Sequence, residues 1–397
     1  MNDRAAVTDC ARSTSATAGS TARLVVVELK RDLDLGPEDV AALDLFIEDR
    51  PEVGVFLSRA WLSGFFADPP AGTEPWLVLF RDGGQLRGVA PVAVRHTLAH
   101  VRVGLLGGGL GSDRVDLLAA RGFEAVCADT FLSWLGETFG RRGFVLELRD
   151  VPVESPLWGA VHRVNAERSL GLALQPRDVH TLPSLDLAEL WSSSIDRESQ
   201  LWHSRSLDKH RRWLERRGCV RVDMVKDLDD VVEAFGTLTG LLHARWSNST
   251  SGSALDDPRA ARFHRHVLPL LLREQRLKLL RLSVDARTVA VFYGLATGGW
   301  WGYYFAGYDR EWAGRIHLGQ LTLAAAIDRA SQEGATEFDF LKGEERVKYL
   351  WPVRARATLS ADIYSAHATA QLARAAAATR DAAAALAKSA RHLCSTR

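Results

Sequence analysis

The chain has 397 residues, of which 47% are hydrophobic and 25% are charged, and its formal net charge is +1. This length allows two domains of ordinary size, and the composition is typical of a globular protein with a buried core. The near-neutral charge argues against a general electrostatic surface for DNA or for membranes, although local basic patches remain possible.

The cysteines and the first residues bear on the cellular compartment. Cys10, Cys127, Cys219 and Cys394 are far apart and have no metal-binding or redox spacing. They predict neither a disulfide framework nor a metal site, and they favour a reducing compartment. Residues 1–22 are rich in Ser, Thr and Ala without an apolar signal segment, so we expect a disordered leader. The apolar runs are too short to span a bilayer, and a cytoplasmic location is expected.

The same order of elements is predicted twice along the chain. Each copy consists of a hairpin, a further strand, a loop containing glycine, a helix and a last strand. These elements are predicted at 76–96, 101–106, 107–113, 122–139 and 144–151 in the first copy, and at 277–296, 300–309, 310–320, 321–334 and 336–343 in the second. Their offset of about 200 residues indicates a duplicated domain, because solenoid repeats run only about 20 to 50 residues.

The repeated pattern predicts an α/β (α+β) fold with two tandem units. A helix that crosses between neighbouring strands makes those strands parallel, so each unit has a mixed, mostly antiparallel sheet flanked by helices. The predicted units are 23–175 and 176–360, joined through the proline-containing stretch 152–190. An Ala-rich C-terminal helix follows at 361–397, because alanine is the best helix former. Further helices are predicted at 37–49, 53–66, 195–217, 228–245 and 257–273.

Several motifs carry a family resemblance. In the second copy they are "HARW" (243–246), "DDPRAARFHRHVLPLLL" (256–272), "GYDREWAGRIHLGQ" (307–320) and "FDFLKGEERVKYLW" (338–351). This copy resembles the GNAT acetyltransferases, and among them the CelD-like branch linked to cellulose and other exopolysaccharide biosynthesis. The first copy matches more weakly at 111–118 and 145–157. The tandem arrangement is similar to that of the Fem-type transferases, which move amino acids from aminoacyl-tRNA onto peptidoglycan precursors.

The resemblance implies an acyl-CoA donor, with acetyl-CoA favoured, whose pyrophosphate lies at loop 310–320. Backbone N–H groups at a helix start attract anions, and glycine lets the backbone approach a phosphate closely. The expected donor contacts are Gly314, Arg315, His317, Gly319 and Gln320.

Both loops depart from the usual nucleotide patterns. GNAT enzymes usually carry two small residues at the helix start, whereas "RIHLGQ" has only Gly319 there, and the CelD-like branch usually has Ser-Pro-Gly at 317–319. A plain strand-to-helix turn is therefore the alternative interpretation. The first-copy loop "GGGLGSD" places Ser112 where a dinucleotide fingerprint needs its last glycine, so we expect a flexible loop that faces a cleft between the copies.

Charged residues gather where the last strand of the second copy ends. Asp339 needs a partner if it is buried, and Lys342, Lys348 and Arg245 are the candidates. Fem-type enzymes also carry a lysine after this strand, which implies that Lys348 stabilises the developing oxyanion while Asp339 orients it. Glu344 is a weaker candidate for the proton acceptor. A structural ion pair at the strand end is the alternative interpretation.

The motif "HARW" adds further candidates at the end of a predicted helix. His243 has the chemistry of a base near neutral pH, although a lone histidine is more often a structural residue. Arg245 and Trp246 are expected to bind an acceptor, together with Tyr304 and Lys342, although Arg245 has a salt bridge as its alternative.

The predicted function is direct N- or O-acyl transfer to a sugar or small-metabolite acceptor, in the context of polysaccharide biosynthesis that the resemblance implies. The second copy would hold the donor and the first would shape the acceptor cleft. The rival enzyme is an aminoacyl-tRNA-dependent transferase that uses the basic segment 205–217 to bind tRNA. That segment is equally explained as a solvated helix face with Leu207, Trp213 and Leu214 turned inward. A non-catalytic scaffold is the third possibility.

Overall fold

The computed structural model describes residues 25–167, 170–190, 205–247, 252–343 and 345–395. The predicted leader and Glu344 lie outside the described residues. The strands are β1 Val26–Lys30, β2 Glu74–Asp82, β3 Gln85–His96, β4 Val101–Leu105, β5 Leu118–Ala119, β6 Phe144–Pro152, β7 Ala173–Asp186, β8 Val220–Met224, β9 Leu277–Val284, β10 Arg287–Thr297, β11 Trp300–Tyr308, β12 Glu337–Asp339 and β13 Arg354–Tyr364.

The helices are distributed along the chain between these strands. They are α1 Pro37–Asp49, α2 Pro51–Gly54, α3 Arg59–Ala67, α4 Glu124–Phe139, α5 Pro156–Ala166, α6 Leu187–Leu190, α7 Arg205–Glu215, α8 Leu228–Trp246, α9 Pro258–Arg273, α10 Arg310–Ala313, α11 Leu318–Gln332 and α12 Ala368–Ser395. Short 3-10 turns occur at Val55–Leu57, Ala254–Asp256 and Arg346–Leu350. No helix within the described ranges combines the length and the apolar character needed to cross a membrane.

The predicted mixed α/β fold is confirmed, with both copies contributing to one continuous sheet. The strand order is β1-β2-β3-β4-β6-β13-β7-β12-β11-β10-β9-β8, with β5 paired to β3. As predicted, the strands that flank the crossing helix are parallel in each copy: β4 pairs with β6, and β11 pairs with β12. We call the described residues 25–167 the first half and those from 205 to 350 the second half.

The two halves exchange strands in the middle of the sheet, which the sequence analysis did not predict. After the first half, β7 pairs with β12 of the second half, and after the second half, β13 pairs with β6 of the first. The two exchanged strands also pair with each other in antiparallel register. Residues 361–364 consequently belong to β13, and the C-terminal helix begins only at Ala368.

A shared core fixes the halves against each other. Trp61 and Phe65 of α3 belong to the same buried cluster as Val267 and Leu268 of α9. The helices approach so closely that a β-carbon on Gly64 would lie 2.4 Å from Cε2 of Phe263. Glycine at this position therefore permits the close packing of α3 against α9, and this packing joins the two halves.

The opening between the parallel strands is closed in the first half. Pairing of β4 with β6 extends only to Gly104 and Glu147. Beyond that point the chain folds back, and the Val115 N–H donates to the Asp150 carbonyl at 3.2 Å. Val115 and Leu117 are buried in the first-half core. The loop that joins β4 to α4 therefore fills the space that a ligand would need.

Candidate functional site

In the second half the corresponding opening is not filled in this way. Strand β12 pairs only with the first residues of β11, from Trp300 to Gly302, so the strands separate beyond Gly302. The register of β10 against β11 shifts between Tyr293 and Gly294, which makes Tyr304 the extra residue of a β-bulge. Bulges commonly redirect a side chain next to an active site.

A cavity of about 220 Å³ occupies this opening and reaches the start of α11. It is lined by three of the predicted donor contacts, His317, Gly319 and Gln320. A β-carbon on Gly319 would lie 3.2 Å from Cε1 of Tyr308, so the helix start is closely packed against β11. The free N–H groups of the first helical turn carry a partial positive charge, which suits an anionic group.

A larger cavity of about 880 Å³ lies between the halves. The first half contributes Gly109, Gly111 and Asp113, which confirms that the glycine loop faces the cleft. The second half contributes residues from α8, α9, β11 and the segment after β12, among them Trp246, His264, Tyr304, Lys342 and Lys348.

The two cavities adjoin one another. Arg245, Tyr303, Ala306 and Glu345 line both of them. The Arg245 guanidinium lies 4.6 Å from the ring centroid of Tyr308 and 5.1 Å from that of Trp246. This arrangement places one cation and the open edge of β11 at the junction.

Lys348 lies in the 3-10 turn Arg346–Leu350 and is only 1% exposed, yet it lines the larger cavity. Its ammonium donates to the Lys342 carbonyl at 2.7 Å and pairs with the Glu345 carboxylate at 2.9 Å. It also lies 5.5 Å from the ring centroid of Tyr303. An ammonium group has three protons, so one is left for a ligand beyond these two partners within the described residues.

Asp339 is buried as expected, but its partner differs from the prediction. Its carboxylate pairs with the guanidinium of Arg114 from the first half at 2.5 Å, rather than with Lys342, Lys348 or Arg245 within the described residues. The Leu341 N–H also donates to it, at 2.8 Å. The hypothesis that Asp339 orients Lys348 directly is therefore wrong, because the first-half loop delivers a buried cation that the repeat pattern did not connect to this strand.

Lys342 forms two further bonds across the cleft. Its Nζ pairs with Asp150 at 2.8 Å, and its backbone N–H donates to Oδ2 of Asp113 at 3.0 Å. Burial raises the pKa of Asp113 to about 6, and the hydrogen bond and positive charge of Lys342 only partly oppose this shift. A carboxyl group on the cavity wall thus titrates near neutral pH.

Tyr304 connects its bulge to the first-half loop. The hydroxyl donates to the Gly111 carbonyl at 2.5 Å. Gly107, Gly109 and Gly111 all have φ between +69° and +113°, a region that favours glycine. The hydrogen bond from Tyr304 holds this glycine loop against the second half.

Some predicted site residues lie elsewhere. The His243 side chain is 72% exposed and contacts Asp256 at 3.1 Å, and the residues that line the two cavities do not include it. Gly314 and Arg315, which were predicted as donor contacts, likewise do not line the smaller cavity, although Gly314 ends α10 close by in sequence. Of the predicted cluster, the structure brings together Arg245, Trp246, Tyr304, Lys342 and Lys348.

Asp113 and Arg114 were missed by the sequence analysis. Both belong to the weakly matching motif "GSDRVDLL", whose adjacent opposite charges after a glycine loop were the available signal. Their significance depends on the contact between halves, which periodicity within one copy does not show. Among the described residues, no group of three or more His, Cys, Asp or Glu side chains is placed to hold a metal ion.

Comparison with known proteins agrees with this architecture. Residues 203–349 match the family model described as an acetyltransferase (GNAT) domain. This part of the chain therefore has the sequence features of a GNAT-type acyltransferase domain. The matched range contains the lining of the smaller cavity, the bulge at Tyr304 and Lys348. A search of curated protein sequences finds no significant match to the chain.

Solved structures share the fold over nearly the whole chain. FemX is 11% identical with a TM-score of 0.56, and the match covers 84% of this chain and 96% of FemX. A conserved protein of unknown function from Bacteroides thetaiotaomicron is 13% identical with a TM-score of 0.50, covering 86% of this chain and 99% of the other. The C-terminal domain of a putative lysylphosphatidylglycerol synthetase from Agrobacterium fabrum is 12% identical with a TM-score of 0.50, covering 87% and 95%. At these identities the likeness concerns the fold alone.

Proposed function

We propose that this protein transfers an acyl group directly from acyl-CoA, with acetyl-CoA favoured, to an amine or hydroxyl of a saccharide or small metabolite. The observation that carries the proposal is the junction of two cavities, one at the start of α11 and one between the halves. Direct transfer needs both substrates to meet at one point, and holding them there supplies much of the rate acceleration. A CelD-like role in exopolysaccharide biosynthesis is part of this proposal and rests on the motif resemblance.

The donor would lie in the smaller cavity, with its pyrophosphate against the N–H groups at Gly319 and Gln320. The pantetheine arm would run along the open edge of β11, where pairing with β12 has ended at Gly302. Its thioester would then reach the residues shared by the two cavities, beside Tyr303.

The transfer step requires a proton acceptor and a group that stabilises the oxyanion. The acceptor nitrogen or oxygen attacks the thioester carbonyl and forms the new C–N or C–O bond, while its proton passes to Asp113. Lys348 stabilises the negative charge on the former carbonyl oxygen. The C–S bond then breaks, and CoA leaves as a thiolate that takes up the proton held by Asp113, which restores the carboxylate. Glu344 and His243 are not needed as bases in this scheme.

An aminoacyl-tRNA donor is the second candidate, and one contact favours it. The basic helix α7 packs beside the donor cavity, with the rings of His210 and His317 4.8 Å apart. Leu207 and Leu214 are buried and Trp213 packs against the same cluster, which is the inward orientation that the alternative interpretation of this segment as a solvated helix face predicts. Transfer from aminoacyl-tRNA that is abolished by RNase, combined with no binding of acetyl-CoA, would establish this donor instead.

Donor binding is tested by two glycine replacements. Gly319→Val should weaken acetyl-CoA binding by about tenfold or more, or about 1.4 kcal/mol, because its side chain meets Tyr308 at the helix start. Gly314→Val is the matched control: the nearest atom to an added β-carbon there is 3.9 Å away, so affinity should change by less than about twofold. Calorimetry measures both. Equal losses would place the donor elsewhere, and no binding by the wild type would favour the scaffold.

Lys348 is tested by a change in turnover. Lys348→Met should lower kcat by about 100-fold or more, as removal of one oxyanion donor does elsewhere, with little change in acetyl-CoA affinity. Thiol release with glucosamine as the probe acceptor gives kcat, and calorimetry gives the affinity. Lys226→Met, at an exposed position, is the control. Parallel losses of affinity and turnover would remove Lys348 from the transfer step.

Asp113 predicts a pH dependence. A base with a pKa of about 6 is protonated below that value, so kcat/KM should fall about tenfold per pH unit below pH 6 and level off above it. The charged and titratable groups around Asp113 are Lys342, Asp150, Lys348 and Tyr304.

Replacing the carboxyl separates Asp113 from its neighbours. Asp113→Asn should abolish this fall in kcat/KM below pH 6 and should lower kcat/KM above pH 6 by about 100-fold or more. Asp116→Asn is the control, because burial also raises the pKa of Asp116 to about 6, yet its carboxylate is enclosed and accepts from Ser155. If the fall in kcat/KM below pH 6 persists in Asp113→Asn but disappears in Asp116→Asn, Asp113 is not the proton acceptor.

A further inference from the structure

His264 occupies a position on α9 where an aliphatic residue would be expected. It lies on the same face as Ala261, Val267, Leu268 and Leu271, which are all buried, and it is itself only 3% exposed. It nevertheless lines the larger cavity. The transfer scheme above gives this polar side chain no role.

Aromatic rings surround the imidazole of His264. Ring centroids of Phe263, Tyr304 and Trp61 lie 5.3, 5.4 and 5.9 Å away. Rings of Tyr293, Phe235 and Phe305 complete the surroundings at 5.6 to 6.0 Å. The environment has no charged group among these neighbours, and burial lowers the pKa of His264 to about 3. The imidazole is therefore neutral throughout the physiological pH range.

One ring nitrogen has a partner and the other does not. Nδ1 lies 3.3 Å from the Tyr293 hydroxyl. For Nε2 there is no hydrogen-bond partner within the described part of the chain. His264 borders the larger cavity, which is large enough for a ligand. A ligand in that cavity is therefore an available hydrogen-bond partner for Nε2.

We propose that His264 is a specificity-determining residue that hydrogen-bonds, through Nε2, a hydroxyl group of the acceptor. A hydroxyl both donates and accepts, so it satisfies the neutral imidazole in either tautomer. The rings around His264 include no charged side chain, so a hydroxyl rather than a carboxylate or phosphate is the expected partner at this part of the wall. The flanking rings of Phe263 and Tyr304 suit the C–H faces of a sugar. The inference deepens the proposed function, on which it rests, by selecting hydroxyl-bearing acceptors such as saccharides.

The same helix provides a matched control. His266 lies two residues further along, is exposed, and contacts Ser63 Oγ at 3.2 Å. It does not line either of the two cavities described above. Its replacement changes a histidine of α9 without changing the cavity wall.

Binding of a neutral saccharide tests the inference directly. The full chain with ¹⁵N-labelled histidine is titrated with N-acetylglucosamine, glucose and galactose as probes, and imidazole resonances are followed. At least one probe should shift the His264 signals with saturation, while the His266 signals stay unchanged. No saturable shift of His264 with any probe would overturn the proposal.

Three single variants and one double variant separate hydrogen bonding from packing. His264→Phe should weaken probe binding by about tenfold, His264→Gln by less than about threefold because an amide also donates and accepts, and His266→Gln should have no effect. If His264→Phe alone is unstable, it is combined with Tyr293→Phe. The double variant removes both members of the buried hydrogen bond and so leaves no unpaired hydroxyl in the core. Equal affinity in the Phe and Gln variants would contradict the inference.

Acetyl-CoA calorimetry distinguishes this inference from the proposed function. If a saccharide shifts His264 while acetyl-CoA does not bind, acyl transfer fails and the assignment of His264 stands. If acetyl-CoA binds and glucosamine is acetylated, but KM for glucosamine is the same in His264→Phe as in the wild type, the assignment of His264 fails alone.

Discussion

The buried ion pair between Arg114 and Asp339 is the constraint on which the site depends. Arg114 is 2% exposed and Asp339 is not exposed at all, so the charge of each offsets much of the cost of burying the other. Removing one member of such a pair leaves an uncompensated buried charge, at a cost of about 3 to 5 kcal/mol. Separating the first-half loop from the end of β12 would therefore be energetically unfavourable.

The course of the chain after β12 follows from this pair. Asp339 accepts from the Leu341 N–H, and Leu341 has a φ of +54° while its side chain is fully buried. Residues other than glycine seldom adopt that conformation, so surrounding contacts must hold it. The turn then brings Lys342 to Asp150 and Lys348 to the Lys342 carbonyl. Groups proposed for the transfer step are thus positioned from the first half.

One fold used twice has acquired two different roles. In the first half, the loop after β4 folds back onto β6 and closes the opening, and the same loop extends Asp113 and Arg114 toward the partner half. In the second half the opening is a cavity. Closing the first opening and building the cleft wall are therefore two results of a single loop conformation. The strand exchange of β7 and β13 adds a covalent and hydrogen-bonded connection across the same boundary.

Local patterns predicted what depends on local contacts. Hairpins, the crossing helices and the parallel strands were correctly predicted because alternation and helical periodicity are properties of short segments. Strand β7 was missed because Pro176 and Pro183 indicate a connection, and proline is rare in central strands. The partner of Asp339 could not be predicted, since Arg114 is more than two hundred residues away and its motif gives no sign of which half it enters. The roles of Lys348 and of the donor loop remain predictions.

A double-mutant cycle between Arg114 and Asp339 tests the central claim most directly. The free energy of unfolding in urea would be measured for the wild type, Arg114→Met, Asp339→Asn and the double variant. The account predicts that each single change is strongly destabilising and that the double change costs much less than their sum, with a coupling energy of about 2 kcal/mol or more. Additivity within about 0.5 kcal/mol would show that the two halves are not held together through this pair, and would contradict the account.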